Sequence, residues 1–191
     1  MPNARDAKLQ ANSLIFILGD TGSGKTTLTG TLPGKVFSYI FDPNALRSLR
    51  GMDIEYESFM PDVTNLDIKS LKKDGGVSRG DRYVSEAKLQ KALESTAYLE
   101  WEKDFYQKLD DGFFEKYDWI CFDSATTFLS LIMDRLLFIN GRPGQFPQED
   151  DYPSQMSTFQ GVIRSLVGLG KNIYMTGHFD LKQDAADRLV N

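Results

Sequence analysis

Apolar residues in this chain gather into short unbroken runs, separated by stripes with helical spacing. Residues 13–18 (Ser-Leu-Ile-Phe-Ile-Leu) form a continuous apolar run without alternation, the pattern of a strand covered on both faces in a parallel sheet. A glycine-rich turn follows, then a short helix over 25–31 that Pro33 and Gly34 end. Residues 36–41 (Val-Phe-Ser-Tyr-Ile-Phe) predict a second strand, closed by the turn signal Asp42-Pro43. A third and more exposed strand is expected over 53–59. Leu89, Leu93, Ala97, Trp101, Phe105 and Leu109 recur every four residues, the stripe of a long amphipathic helix whose aromatics pack into the core.

Residues 118–123 (Asp-Trp-Ile-Cys-Phe-Asp) repeat the buried-strand pattern and end in a carboxylate. Helical character returns over 126–140 and stops at Asn-Gly-Arg-Pro-Gly, residues 140–144. An acidic loop spans 145–152, another helix 154–169, and a last short strand 172–176 before Gly177, His178 and a polar tail. Strands alternating with helices predict an α/β fold with a mainly parallel sheet flanked by helices.

Composition narrows the class of protein. The 191 residues suit one domain over 1–191, with a flexible start over 1–12 and a tail over 179–191. No apolar run approaches the length that spans a bilayer, and residues 1–12 lack the apolar stretch of a signal peptide. A soluble cytoplasmic protein without membrane contact is expected. Cys121 and His178 are the single residues of their types, which excludes an internal disulfide, a cysteine-built zinc site and histidine-rich metal chemistry. The net charge of −5 makes the surface as a whole no trap for nucleic acid. Residues 69–83 reverse that sign: Lys69, Lys72, Lys73, Arg79 and Arg82 oppose only Asp74 and Asp81, leaving +3 on a glycine-containing segment. It reads as a mobile basic loop.

One motif carries explicit chemistry. Gly19, Asp20, Thr21, Gly22, Ser23, Gly24, Lys25 and Thr26 match G-x-x-x-x-G-K-[ST] in full, between a predicted strand and a predicted helix. The glycines let the backbone curl so that successive N–H groups point at a phosphate, and the helix N-terminus adds its positive end. Lys25 is then the group that reaches the β- and γ-phosphates of ATP, Thr26 offers its hydroxyl to Mg²⁺, and Thr27 is placed for the α-phosphate. Asp123, at the end of its strand, is the expected second anchor for the metal. No glutamate follows Asp123, so another carboxylate must orient an attacking water. Asp42, at the same sheet edge, is the candidate, with a turn role before Pro43 as the competing reading. His178 ends the last strand at that edge, where a polar side chain can sense a γ-phosphate. Cys121 reads as a buried strand residue with no nucleophilic role.

The P-loop, the strand ending in Asp42, the Trp119–Asp123 strand with Ser124, and the Asn-Ile-Tyr-Met-Thr-Gly-His of 172–178 together resemble the phage-type RecA-like ATPases. Asp151-Tyr152 ahead of a helix belongs to the same likeness. That resemblance implies a RecA-like P-loop NTPase fold, Mg²⁺ and ATP as cofactors, and a role in DNA recombination or single-strand annealing, in a bacterial host cytoplasm for a phage-encoded protein. It maps the water-orienting carboxylate onto Asp42 and the γ-phosphate sensor onto His178. Asp42 is one methylene shorter than the glutamate found in RecA, which implies slow hydrolysis. The chain stops 13 residues after His178, where such a fold normally adds a strand or hairpin, so either the sheet is trimmed there or the chain is truncated. The resemblance further implies a homo-oligomer, although no arginine finger stands out among Arg47, Arg50, Arg135, Arg142 and Arg164.

Three functions compete. A DNA-transaction ATPase would contact single-stranded DNA through Lys69, Lys72, Lys73, Arg79 and Arg82, with strong salt dependence. A nucleotide-gated assembly, loader or packaging-associated module would turn over slowly, as the missing glutamate after Asp123 suggests. A nucleotide kinase has only Asp81-Arg82-Tyr83 in its favour, without a strand before it or an arginine-rich lid.

Overall fold

The computed structural model describes residues 12–60, 96–143 and 145–178, together with the backbone of two short strands, Lys182–Gln183 and Leu189–Val190. The principal elements follow in chain order: β1 (Leu14–Leu18), α1 (Lys25–Leu28), β2 (Val36–Ile40), α2 (Ala45–Leu49), β3 (Glu55–Ser58), α3 (Ala97–Asp110), β4 (Trp119–Asp123), α4 (Ala125–Ile139), α5 (Asp151–Gly168) and β5 (Asn172–Gly177). The two short strands, β6 and β7, pair with each other in antiparallel fashion.

The five longer strands form one parallel sheet in the order β1-β5-β4-β2-β3, as the alternation of strand and helix predicts. Parallel neighbours need crossover connections, which lay helices on the faces and bring every strand's C-terminal end to one edge. β2 and β4 are buried at every position, in keeping with their unbroken apolar sequences. On one face Phe37, Tyr39, Phe41, Ile120, Phe122, Ile173 and Met175 pack against residues of α3, α4 and α5. Trp101 of α3 is at the centre of this cluster, stacked on Phe105 and edge-on to Phe128 of α4. Ala97, Trp101 and Phe105 are buried as their spacing predicts, while Leu89 and Leu93 fall outside the described residues. The opposite face holds a smaller cluster of Val36, Trp119, Cys121 and Tyr174 against Ile15 and Ile17.

α3 is tied to the β3 edge by a nearly buried cation. Lys108 donates to Glu57 and Asp104, and the Tyr39 hydroxyl donates to Asp104 as well. A lysine buried under aromatic rings needs such partners to offset its lost hydration.

Two expectations need correction, and a third point concerns an element that the sequence does not predict. β1 is not covered on both faces: it lies at the edge of the described sheet, and Leu14, Phe16 and Leu18 are each 52% exposed. Their partners in register are Ile173, Met175 and Gly177, so they share the face of the helical layer, yet no described helix covers them. Phe16 and Leu18 instead lean over Gly177, where a Cβ would come within 2.7 Å of Leu18. Second, α5 starts at Asp151, not Ser154, because Pro153 falls in the first turn, where its missing N–H leaves no hydrogen bond unmade. Third, α2 has no counterpart in the apolar periodicity; five residues are too few to show it. No described helix is long and apolar enough to cross a membrane.

Candidate functional site

The loop between β1 and α1 folds as its glycines require. Gly22 and Gly24 sit at φ of 81° and 87°, left-handed geometry that side chains with a Cβ adopt only at a cost. Gly24 is also the N-cap of α1, so the first backbone N–H groups of that helix open toward the loop. Lys25 is 8% exposed, and its Nζ donates to the carbonyls of Gly19 and Asp20, both at 2.7 Å, with Ser23 Oγ at 3.5 Å. The Lys25 carbonyl accepts from the buried Tyr174 hydroxyl at 2.8 Å, which fastens α1 to β5. Burial, with the neighbouring Cys121 and Asp123, pushes that hydroxyl up to about 12.

Asp123 closes β4 at 4% exposure. One carboxylate oxygen accepts from Thr26 Oγ1 at 2.6 Å and the other from Thr176 Oγ1 of β5. The cap of α4 is Ser124, whose hydroxyl accepts from the Thr127 N–H at 3.2 Å. Asp123 is therefore free of the cap and committed to the loop. Cys121 is buried with its thiol pushed well above the usual range by desolvation, consistent with an inert strand residue.

Asp42 makes the turn contact and also faces the site. Oδ1 accepts from the Asn44 N–H at 2.9 Å, an Asx turn, while Oδ2 faces His178 Nε2 at 3.5 Å. His178 Nδ1 lies 3.4 Å from Lys25 Nζ. When the ammonium donates to Nδ1, the ring proton of a neutral imidazole sits on Nε2, facing the Asp42 carboxylate. The His178 N–H donates to Thr126 Oγ1 at 2.8 Å, which fixes the residue beside the start of α4. Lys25, Asp42, Asp123 and His178, distant in sequence, thus converge where β1, β2, β4 and β5 end.

These four residues, with Thr21, Gly22, Gly24, Thr26 and Thr27 of the loop, line a cavity of about 130 Å³. That is below the roughly 300–1,000 Å³ of pockets that enclose a small molecule, so the cavity suits the anionic end of a larger ligand. The arrangement also fits one metal chemistry. Thr26 and Asp123 present a hydroxyl and a carboxylate oxygen 2.6 Å apart, and the described residues contain no group of three or more His, Cys, Asp or Glu side chains that could cage a metal. Two hard oxygens completed by phosphate oxygens and water is the manner in which Mg²⁺ is held.

Sequence reasoning missed several members. Thr176 and Tyr174 anchor Asp123 and Lys25, and Asn44, Ala45 and Ser48 at α2 form one wall of the cavity. Period-two alternation does place Tyr174 and Thr176 on one side of β5, and register pairs Tyr174 with Cys121; only the strand order turns that into contact with Asp123. Lys69, Lys72, Lys73, Arg79 and Arg82 lie outside the described residues.

A parallel sheet whose first strand runs through this glycine-lysine loop into a helix, with an acidic strand end one strand removed, defines a P-loop NTPase. The chain belongs to the AAA domain family, whose sequence profile matches residues 11–189. A search of the curated proteins finds no match. Nucleotide binding is the property that the family and the loop share.

Proposed function

We propose that the protein is a Mg²⁺-dependent ATPase of the phage RecA-like type that couples slow hydrolysis to recombination or annealing of single-stranded DNA. The observation that carries the reading is the contact chain Asp42–His178–Lys25 at the rim of the loop. Asp42 and Asp123 are the carboxylates that line the cavity among the described residues. With Asp123 engaged by Thr26 and Thr176, Asp42 is the one left to accept a hydrogen bond from an attacking water.

When bound, Mg²⁺ neutralises phosphate charge and templates the leaving group. Lys25 exchanges two carbonyl acceptors for phosphate oxygens, a change from neutral to anionic acceptors for its ammonium. His178, between Lys25 and Asp42, registers that exchange and passes it to the residues that follow. The basic residues Lys69, Lys72, Lys73, Arg79 and Arg82 are the proposed DNA contacts, too few in one chain for tight binding, so a homo-oligomer that sums weak sites is part of the reading.

A second reading, a nucleotide-gated assembly module, is favoured by Ser124 standing directly after Asp123 as a helix cap, where no catalytic carboxylate can then sit. Steady-state ATP hydrolysis with and without single-stranded DNA, at two salt concentrations and with Lys25→Ala as the blank, separates the two. Stimulation that fades with salt supports the DNA reading; tight ATP binding without stimulation supports the assembly module. In single-turnover assays Asp42→Asn is expected to slow hydrolysis by about 10²-fold or more, and His178→Ala to slow it as well. Unchanged rates in both variants refute the assigned roles.

A further inference from the structure

Two surface features outside the nucleotide site, each apolar, carry opposite charges. The first is a groove of about 430 Å³ between α2 and β3, lined by Leu46, Met52, Ile54 and Tyr56 together with Arg47 and Arg50. Both arginines are exposed, and neither forms an ion pair among the described residues. The second is the turn over 145–150 between α4 and α5. Phe146 is 76% exposed there, more than any other large hydrophobic side chain among the described residues. Glu149 and Asp150 follow it, both exposed and likewise without an ion pair among the described residues.

This turn is held from behind. Asp151, 3% exposed, accepts from Arg142 at 2.6 Å and from the Gln148 N–H at 2.7 Å, and the Gln145 N–H donates to the Arg142 carbonyl. A braced turn presents its apolar and acidic groups already ordered, which removes an entropic cost of docking.

We infer that the groove of one copy of this chain receives the Phe146–Asp150 turn of a second copy. Phe146 enters the apolar floor, and Glu149 and Asp150 meet Arg47 and Arg50. A chain of net charge −5 that places two arginines without an ion pair among the described residues around an apolar groove is matched by its own acidic, aromatic turn. Groove and turn are different surfaces, so the contact is head-to-tail and propagates into a ring or filament. The inference rests on the oligomer expected under the proposed function and names the surfaces that build it. It also links assembly to the nucleotide site, because α2 lends Ala45 and Ser48 to the cavity and Arg47 to the groove.

Sedimentation of the full chain over a range of concentrations tests the contact. The wild type is expected to gain average mass with concentration and to lose it in high salt. Arg47→Glu/Arg50→Glu and Glu149→Lys/Asp150→Lys should each remain monomeric. Their equimolar mixture should assemble again, since each then supplies the charge the other needs. A wild type that stays monomeric overturns both the contact and the oligomer. Assembly untouched by either double variant overturns the contact alone, as does a mixture that fails to recover. If Arg47→Glu/Arg50→Glu still assembles but no longer retains a single-stranded oligonucleotide, the arginines serve nucleic acid and the contact is overturned.

Discussion

Thr176→Val isolates the least visible part of the site. Thr176 is fully buried, and its hydroxyl donates to the Asp123 oxygen that Thr26 does not use. Valine fills nearly the same space, so the change removes a donor and opens no cavity. The Asp123 carboxylate, 4% exposed, keeps Thr26 and has little access to water as a replacement. A hydrogen bond to a charged group contributes about 1.5–3 kcal/mol. For a chain of this length each kcal/mol moves the melting temperature by roughly 2–4 °C, so a fall of about 3–12 °C is expected. Thr176→Ser keeps the hydroxyl and loses one methyl group, for about 1 kcal/mol.

The second readout is functional. With one oxygen released, the Asp123 carboxylate can turn away from Thr26, so nucleotide binding should need more Mg²⁺ in Thr176→Val and wild-type Mg²⁺ in Thr176→Ser. A thermal melt and a Mg²⁺ titration with a fluorescent nucleotide measure both effects. A Thr176→Val protein that melts within about 1 °C of wild type, with an unchanged Mg²⁺ requirement, refutes the claim that this hydroxyl positions Asp123.

Other perturbations probe separate layers. Trp101→Ala removes a 1%-exposed ring from between Phe105 and Phe128 and should cost about 3–5 kcal/mol in urea denaturation. Gly24→Ala meets no atom within 4 Å but must hold φ near 87°; nucleotide titration should show a loss of about 5–30-fold, the equivalent of about 1–2 kcal/mol of backbone strain. Gly161→Ala, within α5 and also unobstructed, should instead stabilise the fold by about 0.4–1 kcal/mol in the same urea assay. The Arg142 guanidinium, joined by the Gln148 N–H, holds the Asp151 carboxyl below its usual range. Its folded value is thus below the unfolded value near 3.9, so its stabilisation is complete above about pH 4 and fades as pH falls through the lowered value. Urea midpoints taken from pH 7 to pH 3 should show that acid limb flattened in Asp151→Asn.

The parts of the fold legible in the sequence are those fixed by local chemistry. The P-loop is one: glycines at 22 and 24 and a lysine at 25 have a single reading in a strand–turn–helix context. The stripe through Trp101 and Phe105 is another, because its period states which face is buried. What escaped depended on strand order. The apolar run of β1 looks the same in a central strand and in the edge strand observed, since hydrophobicity records that a side chain needs cover and not what supplies it. Asp42 could not be decided from sequence because its carboxylate faces two ways, one oxygen making the turn with Asn44 and the other facing His178 at the site.

β5 is where this matters most. It lies between the P-loop strand and the Asp123 strand, so its last residues touch both halves of the site whatever else they do. Tyr174 holds the carbonyl of Lys25, Thr176 holds Asp123, and His178 reaches the Lys25 ammonium and Asp42. Alternate residues of β5 and the residue just after it thereby contact the lysine proposed to bind phosphate, the carboxylate proposed to bind metal and the carboxylate proposed to orient water. A change at any of the three contacts is felt first along β5. Coupling between nucleotide and whatever the protein acts on is therefore expected to leave the site through the residues after His178. Thr176 and His178 variants should then differ in kind: the first shifts the Mg²⁺ requirement, and the second weakens any stimulation of turnover by DNA while leaving that requirement intact.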